Sequence, residues 1–422
     1  MSTRRLFGTD GVRGVVGETL TEELVERLGR AATLWNGGGR VLVGRDTRGS
    51  GPALEAALSR GIVSAGGTAV LGGVLPTPAV ALLAQDLGAV ISASHNPPRY
   101  NGVKLFDGTG SKLSEESEAA IEALLDSAPV GGGTVEMLDD AAPRYVDHVL
   151  QHFSSDLGGL RLVVDCAHGA FSAIAGPVLE RLGAEVTLIG AEPDGANINE
   201  GCGATDTGLL ARTVRDGGHD LGLAFDGDGD RLAAVDGDGN PVDGDQIVAI
   251  LALALGVDVV AVTQMTNLGF HHLMRDHGIR VLTTDVGDRY VLEALRREGA
   301  VLGGEQSGHI LHLEHHVSGD GLAAGLLLLR AIAGRTLADA AAVLRRLPQA
   351  KENVTVVRRE PTTAIREEIE AVAAELGDRG RVLVRPSGTE PMIRVLVEAT
   401  GEQEARAACA RIAHRVRQEL GS

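Results

Sequence analysis

One pattern recurs three times along this chain and limits what it can fold into: strand, polar loop, helix, glycine, strand. The first copy runs Arg40-Val41-Leu42-Val43-Gly44-Arg45-Asp46, then a helical stretch, then Gly66-Gly67-Thr68-Ala69-Val70-Leu71. The second runs Arg161-Leu162-Val163-Val164-Asp165, a helix over Ile174 to Leu182, then Gly183-Ala184-Glu185-Val186-Thr187-Leu188-Ile189. The third joins Val259-Val260-Ala261-Val262-Thr263, a helix over Leu268 to His277, and Gly278-Ile279-Arg280-Val281-Leu282. Each is a βαβ unit, because parallel strands need a helical crossover between them. Similar units at similar spacing predict three related α/β domains.

The tail breaks the pattern. Val354 to Val357, Arg381 to Arg385 and Ile393 to Glu398 read as strands, with helices over Ala364 to Leu376 and Glu402 to Leu420. Two strands joined by a loop predict an antiparallel pair and an α+β module. Boundaries near Phe153, Leu251 and Pro348 divide the chain into residues 1–153, 154–251, 252–348 and 349–422, in keeping with 422 residues. Pro129 to Thr134 reads as a glycine-rich loop between helices.

A formal charge of −18 disfavours nucleic acid and anionic membranes as partners, since both want a basic surface. An anionic substrate would need a local cluster of cations, and these are nearly all arginine: the only lysines are Lys104, Lys112 and Lys351. Three widely spaced cysteines, Cys166, Cys202 and Cys409, suggest neither a disulfide framework nor a metal site and point to a reducing cytoplasm. Met1 to Arg13 lack the apolar stretch of a signal peptide. The longest apolar run, Ile247 to Val262, is broken by Gly256 and Asp258, which suits helix, turn and strand better than a membrane span.

Val90-Ile91-Ser92-Ala93-Ser94-His95-Asn96-Pro97 is a buried-strand sequence that ends on hydroxyls and a turn. In α/β proteins, ligands bind at the carboxyl ends of strands. Alone, Ser-His-Asn-Pro is equally a cap or turn. A nucleophile elbow is excluded, because Gly-x-Ser-x-Gly is absent around Ser94. Lys104 follows closely, either as a surface charge or, desolvated beside other cations, as a proton-transfer group.

Asp226-Gly227-Asp228-Gly229-Asp230-Arg231 follows the apolar strand Leu221 to Phe225. Three alternate carboxylates in a glycine-rich loop can converge on one hard cation, and without one they repel. An EF-hand fails, since its sixth position is Arg231 and its twelfth Gly237. An Asp-x-Asp phosphatase loop remains open. Asp236-Gly237-Asp238-Gly239-Asn240 reads as a solvated hairpin tip.

Gly303-Gly304-Glu305-Gln306-Ser307-Gly308-His309 sets hydrogen-bonding side chains between glycines, as reading a sugar requires, though a plain polar loop would look similar. His312, His315 and His316 lack zinc-site spacing and are assigned to the surface. Arg385-Pro386-Ser387-Gly388-Thr389-Glu390-Pro391 supplies an arginine fork, hydroxyls and amides, the materials of a phosphate site or of a hairpin loop. Walker A is ruled out by the absence of any Gly-Lys-Ser/Thr. Phe7-Gly8-Thr9-Asp10-Gly11-Val12-Arg13-Gly14 places Arg13 on a glycine-framed loop, as a catalytic cation or a surface charge.

Taken in order, these motifs resemble the α-D-phosphohexomutase superfamily over essentially the whole chain. Phe7 to Gly14, Gly287-Asp288-Arg289-Tyr290-Val291 and the Gly304 to His309 loop look like its glucosamine branch. The resemblance implies three related α/β domains with mixed sheets and a C-terminal α+β domain around a central cleft, each lending one loop. It implies a cytoplasmic isomerase that interconverts glucosamine 6-phosphate and glucosamine 1-phosphate for amino-sugar nucleotide and cell-wall precursor synthesis. Ser94 would be the phosphoserine, with Arg13, His95, Lys104 and Arg231 around it. Asp226, Asp228, Asp230 and a phosphoserine oxygen would hold one Mg²⁺. Glu305 and Ser307 would grip the sugar, with Asp288, Arg289 and His309 near the substrate. Arg385, Ser387, Gly388 and Thr389 would bind the non-reacting phosphate. A glucosamine or glucose 1,6-bisphosphate would prime the serine. The oligomeric state is not legible, with a homodimer as the candidate. Two departures, a short segment before Ile91 and Asp206 after Gly201-Cys202-Gly203, touch no motif. Beside this reading stand a phosphomannomutase or phosphoglucomutase, a Mg²⁺-dependent phosphatase with Asp226 as nucleophile, and a silent sugar-phosphate sensor.

Overall fold

In the computed structural model, which describes residues 6–8, 10–387 and 390–421, all three repeats form as parallel strand pairs. The first sheet holds β1 (Val12–Val15), β2 (Arg40–Arg45), β3 (Thr68–Val74), β4 (Leu87–Ile91), β5 (Tyr100–Asp107) and β6 (Thr134–Met137), in the order β1-β5-β4-β2-β3-β6. The second holds β7 (Arg161–Asp165), β8 (Glu185–Ile189), β9 (Leu221–Phe225), β10 (Leu232–Asp236) and β11 (Pro241–Val242), in the order β11-β10-β9-β7-β8. The third holds β12 (Val259–Thr263), β13 (Arg280–Thr284), β14 (Leu302–Gly304) and β15 (Ile310–His312), in the order β13-β12-β14-β15.

The three sheets share one four-strand core. β3-β2-β4-β5, β8-β7-β9-β10 and β13-β12-β14-β15 each contain three parallel strands and a fourth running antiparallel. In each, the segment between the third and fourth strands carries a motif: Ser94 between β4 and β5, the aspartates between β9 and β10, Glu305 to His309 between β14 and β15. The third strands are apolar and buried along their length, as β4 and β9 show, because they sit mid-sheet with both faces covered.

Helices close the layers. Thr21 caps the helix Glu22–Trp35 by accepting from the Leu24 amide, and Glu22 and Glu23 complement its positive end. This helix packs closely on the helix Gly51–Ser64: a Cβ at Gly61 would lie 2.0 Å from the Glu26 carbonyl oxygen. Leu28, Leu54 and Leu58 are buried beneath the pair, each contributing about 2 kcal/mol by leaving water. Asp243 and Gln246 form a capping box for the helix Gly244–Leu255, which ends at a left-handed Gly256.

Two compact units result. One takes the chain up to Met265 together with Ile279–Ala342, and the other takes Thr266–Gly278 and the chain from Val343 onward. The second unit is an antiparallel sheet of β16 (Gln349–Thr355), β17 (Gly380–Pro386) and β18 (Met392–Ala399), in the order β16-β18-β17. Its core sets Ile393, Val395 and Val397 against Ile412 and Val416 of the helix Glu402–Leu420. The antiparallel pair expected from the tail is present.

Two local expectations fail. The glycine-rich stretch at 129–134 leads into a strand rather than a second helix, since β6 adds to β3 at the sheet edge. Its four residues are all exposed, so no apolar alternation marked it. His312 and His316 are buried, not superficial: His316 lies 3.0 Å from Asp320, and both rings pack around Phe153. Among the described residues, no helix is long and apolar enough to cross a membrane.

Candidate active site

Ser94 lies three residues beyond the end of β4, buried, with φ of +52°. Its hydroxyl donates to Asp226 Oδ2 at 2.5 Å, and His95 Nδ1 stands 3.2 Å from Oγ. Burial, with Arg231 and Arg13 nearby, pushes the His95 imidazole down to about 4, so it is neutral at pH 7.

Asp226, Asp228 and Asp230 are all buried on the tight hairpin between β9 and β10, and one oxygen from each lies within 4.8 Å of the others. Burial first, then Asp230 and Asp228, raises the Asp226 carboxyl to about 8. Asp228 Oδ1 and Asp230 Oδ1 are buried without a hydrogen-bond donor among the described residues. Asp228 Oδ1, and Asp230 Oδ1 with His309 Nδ1 no nearer than 3.6 Å, suit a hard divalent cation. No other group of three metal-ligating side chains converges similarly among the described residues, including the histidines of the 312–316 loop.

Lys104, on β5, is neither a surface charge nor set chiefly among cations. Its Nζ contacts Asp228 Oδ2 at 2.7 Å, Asp230 Oδ2 at 3.0 Å and Asp10 Oδ2 at 3.0 Å. Burial alone would lower its ammonium, but the three carboxylates prevail and hold it well above the usual lysine range. Lys104 therefore keeps its proton here. Asp10 also pairs with Arg13 and, through Oδ1 at 2.6 Å, with Lys112, which reaches Asp288 at 2.6 Å. Burial would raise the Asp10 carboxyl, yet Lys104, Lys112 and Arg13 keep it well below its ordinary value.

The third sheet closes this network. His309 places Nε2 3.1 Å from Asp288 and Nδ1 3.6 Å from Asp230. Burial opposes its charge, but Asp288 and Asp230 raise the imidazole to about 10. Arg231 lies 3.9 Å from both Asp226 and Asp230. Glu305 Oε1 accepts from the Gly287 amide at 3.1 Å, while Ser307 is exposed at the loop tip. Arg289 turns to an ion pair with buried Glu118 and lines a cavity of about 250 Å³ with Phe7, Gly287 and Tyr290.

The structure thus brings Ser94, His95, Arg13, Lys104, the three aspartates, Arg231, Asp288 and His309 into one charge network, with Glu305 bordering it. Asp10, Lys112 and Thr77 were missed. Asp10 lies in the glycine-framed Phe7 to Gly14 loop and Lys112 is one of only three lysines, so both carry signals in the sequence. Thr77 had none: its hydroxyl donates to Asp228 Oδ2 at 2.6 Å across 151 residues of sequence.

Arg385 and Ser387 belong to the second unit. Gly388 and Thr389 lie outside the described residues. Arg359 Nη1 donates to the Ser387 carbonyl at 3.2 Å, Arg394 Nη2 lies 3.5 Å from its hydroxyl, and Arg385 faces Arg394 across the β17–β18 ladder. Burial, then the neighbouring Arg394, lowers the Arg385 guanidinium from its ordinary value.

Comparison with known proteins identifies the family. The chain matches the four domains of the phosphoglucomutase/phosphomannomutase family: α/β/α domain I over residues 4–129, domain II over 143–239, domain III over 243–350 and the C-terminal domain over 337–415. The phosphoglucosamine mutase of Acidothermus cellulolyticus is 50% identical, the match covering 100% of this chain and 97% of that protein. That of Thermobifida fusca is 48% identical over 99% of each chain. A phosphoglucomutase/phosphomannomutase family protein from Burkholderia thailandensis superposes with a TM-score of 0.82 at 26% identity, covering 99% of this chain and 97% of that one. With its four domains matched in order and two curated relatives near half identity, the chain belongs to the phosphoglucomutase/phosphomannomutase family, in its phosphoglucosamine mutase branch.

Proposed function

We propose that this enzyme interconverts glucosamine 6-phosphate and glucosamine 1-phosphate by carrying a phosphoryl group on Ser94. The observation that carries the reading is the Ser94 hydroxyl, buried 2.5 Å from Asp226 within a three-carboxylate loop that Lys104 neutralises in part. A hydroxyl so placed can bear a phosphoryl group beside a cation site.

Phosphorylated Ser94 gives its phosphoryl to the C1 hydroxyl of glucosamine 6-phosphate. The serine P–O bond breaks and a C1 O–P bond forms while the C1 hydroxyl proton passes to the departing serine oxygen, and the 1,6-bisphosphate turns around. Its 6-phosphoryl then returns to Ser94 and glucosamine 1-phosphate leaves. Asp226, Asp228 and Asp230, with a phosphoserine oxygen, would hold Mg²⁺, which when bound neutralises charge on the transferring group. Arg13 and Arg231 flank the serine and add fixed positive charge, while Lys104 keeps the aspartates from repelling one another. Glu305 and Ser307 orient the sugar, and Asp288 holds His309 charged beside it. Arg289 walls the neighbouring cavity. Arg385 and Ser387, with Gly388 and Thr389, take the non-reacting phosphate. Alignment rather than covalent help supplies most of the rate. A sugar 1,6-bisphosphate primes Ser94. Four domains divided near residues 153, 251 and 348 each provide one of these loops.

Phosphorus NMR of the purified protein with Mg²⁺, glucosamine 6-phosphate and a trace of glucose 1,6-bisphosphate tests this. A 1-phosphate signal with wild type and none with Ser94→Ala is the expected result. Inorganic phosphate in its place would identify a phosphatase, and equal rates on mannose phosphates would remove the glucosamine assignment.

A further inference from the structure

Two side chains absent from the chemistry above end on the same atom, the main-chain carbonyl oxygen of Ser94. Arg48 Nη2 donates to it at 2.9 Å, and so does Asn199 Nδ2, also at 2.9 Å. Arg48 follows β2, and Asn199 precedes β9 in the second sheet's part of the chain, so the grip comes from two sheets.

Arg48 is buried, and its fork is spent on this turn. It reaches the carbonyls of Asn96 at 2.7 Å, Pro97 at 2.6 Å and Tyr100 at 2.9 Å, while Nε meets Asp46 at 2.9 Å. A planar fork with five donors can do this where a lysine cannot. Asp46 accepts from Ser92 Oγ at 2.6 Å, and Ser92 Oγ accepts from the Ser94 amide at 2.9 Å. Both main-chain polar groups of Ser94 are therefore fixed.

Such fixing has a reason. A left-handed φ of +52° costs a serine about 1–2 kcal/mol, so surrounding contacts must impose it. Gly227 shows how tightly they do: a Cβ there would come within 2.8 Å of the Ser94 carbonyl oxygen and 2.9 Å of Asn199 Nδ2.

We propose that Arg48 and Asn199 are positioning residues for phosphoryl transfer, gripping the Ser94 carbonyl from two sheets so that Oγ stays aimed at the aspartate triplet. The inference rests on Ser94 as the phosphoryl carrier. Asn199→Asp keeps the size and the tolerance of left-handed backbone but puts an oxygen where the donor stood. Arg48→Lys keeps the charge and loses the fork. Both are compared with wild type and Ser94→Ala for kcat, for KM of glucosamine 6-phosphate, and for the rate at which glucose 1,6-bisphosphate phosphorylates Ser94, read by intact mass.

The expected result is a fall of roughly ten- to a hundredfold in kcat and in Ser94 phosphorylation, with KM changed less than about twofold and the circular dichroism of Asn199→Asp unaltered. Asn199→Asp within about twofold of wild type in both rates, or a loss carried by KM alone, overturns the proposal. If Arg48→Lys does not fold, Asn199→Asp decides. A fully active Ser94→Ala would overturn the mutase reading itself, whereas an inactive Ser94→Ala beside a fully active Asn199→Asp overturns this inference only.

Discussion

Lys104 holds together a cluster that would otherwise push itself apart. Its ammonium lies within 3.0 Å of three carboxylates, and its side chain is 2% exposed, so solvent screens little of that attraction. Replacing it by methionine keeps the volume and leaves the carboxylates uncompensated. In metal-free buffer Lys104→Met should lose about 3 kcal/mol, measured by denaturant unfolding. Added Mg²⁺ should raise its unfolding midpoint more than that of wild type, because the vacated oxygens of Asp228 and Asp230 become available to the cation. Equal shifts would show that lysine and metal do not share those carboxylates. The residues that were legible in the sequence, Ser94, the aspartates, Arg231 and His309, belong to short motifs whose chemistry is local. Arg48 and Asn199 were not, because their partner lies 46 and 105 residues away and neither carries a motif of its own. Arg48 had a weaker signal, since it stands just past a strand whose end adjoins that of β4.

At the scale of elements, the repeated four-strand core explains why the motifs meet. In each sheet the loop between the third, buried strand and its antiparallel neighbour carries one of the motifs, with Ser94, the aspartate triplet or Glu305 to His309. The βαβ halves were legible because crossovers impose a fixed order of apolar run, helix and glycine. The antiparallel fourth strands and edge strand β6 were not, since pairing across a hairpin or at an exposed edge leaves little periodicity. The β9–β10 hairpin lies directly against the serine turn, and Gly227 is where the two touch. Gly227→Ala would force a methyl against the Ser94 carbonyl, a main-chain atom that cannot swing away. We expect kcat to fall at least about tenfold with the fold retained, read by steady-state kinetics beside circular dichroism. An alanine variant with wild-type kcat would show that the hairpin yields without moving the serine.

Across the whole molecule, chain order does not decide unit membership. The helix Leu268–Asp276 joins β12 to β13, yet it belongs with the C-terminal unit, and Glu398 explains why. This buried carboxylate accepts from Leu268 N at 2.8 Å, Asn267 Nδ2 at 3.2 Å, Gln349 Nε2 at 2.5 Å and Arg381 Nε at 3.0 Å. Nothing in the third βαβ repeat announces a partner 130 residues on. Glu398→Ala strips four donors of this acceptor and should cost about 3–5 kcal/mol. By hydrogen exchange, β16 and β18 should lose protection while β9 keeps its own; equal loss in both would mean the two units open together. The same helix sets a pH dependence. Burial, then Arg381 and His272, lowers the His271 imidazole from its ordinary 6.5 to about 4. The folded unit therefore holds His271 neutral where the unfolded chain would bind a proton. Its contribution to stability is complete above about pH 6.5 and shrinks as the pH falls toward about 4, where the folded form also protonates. The denaturant midpoint of the second unit should accordingly fall more steeply between those values in wild type than in His271→Gln. Parallel curves would show that the ring is already hydrated in the folded state, leaving Gly269, Phe270 and Met274 as the buried face of this helix.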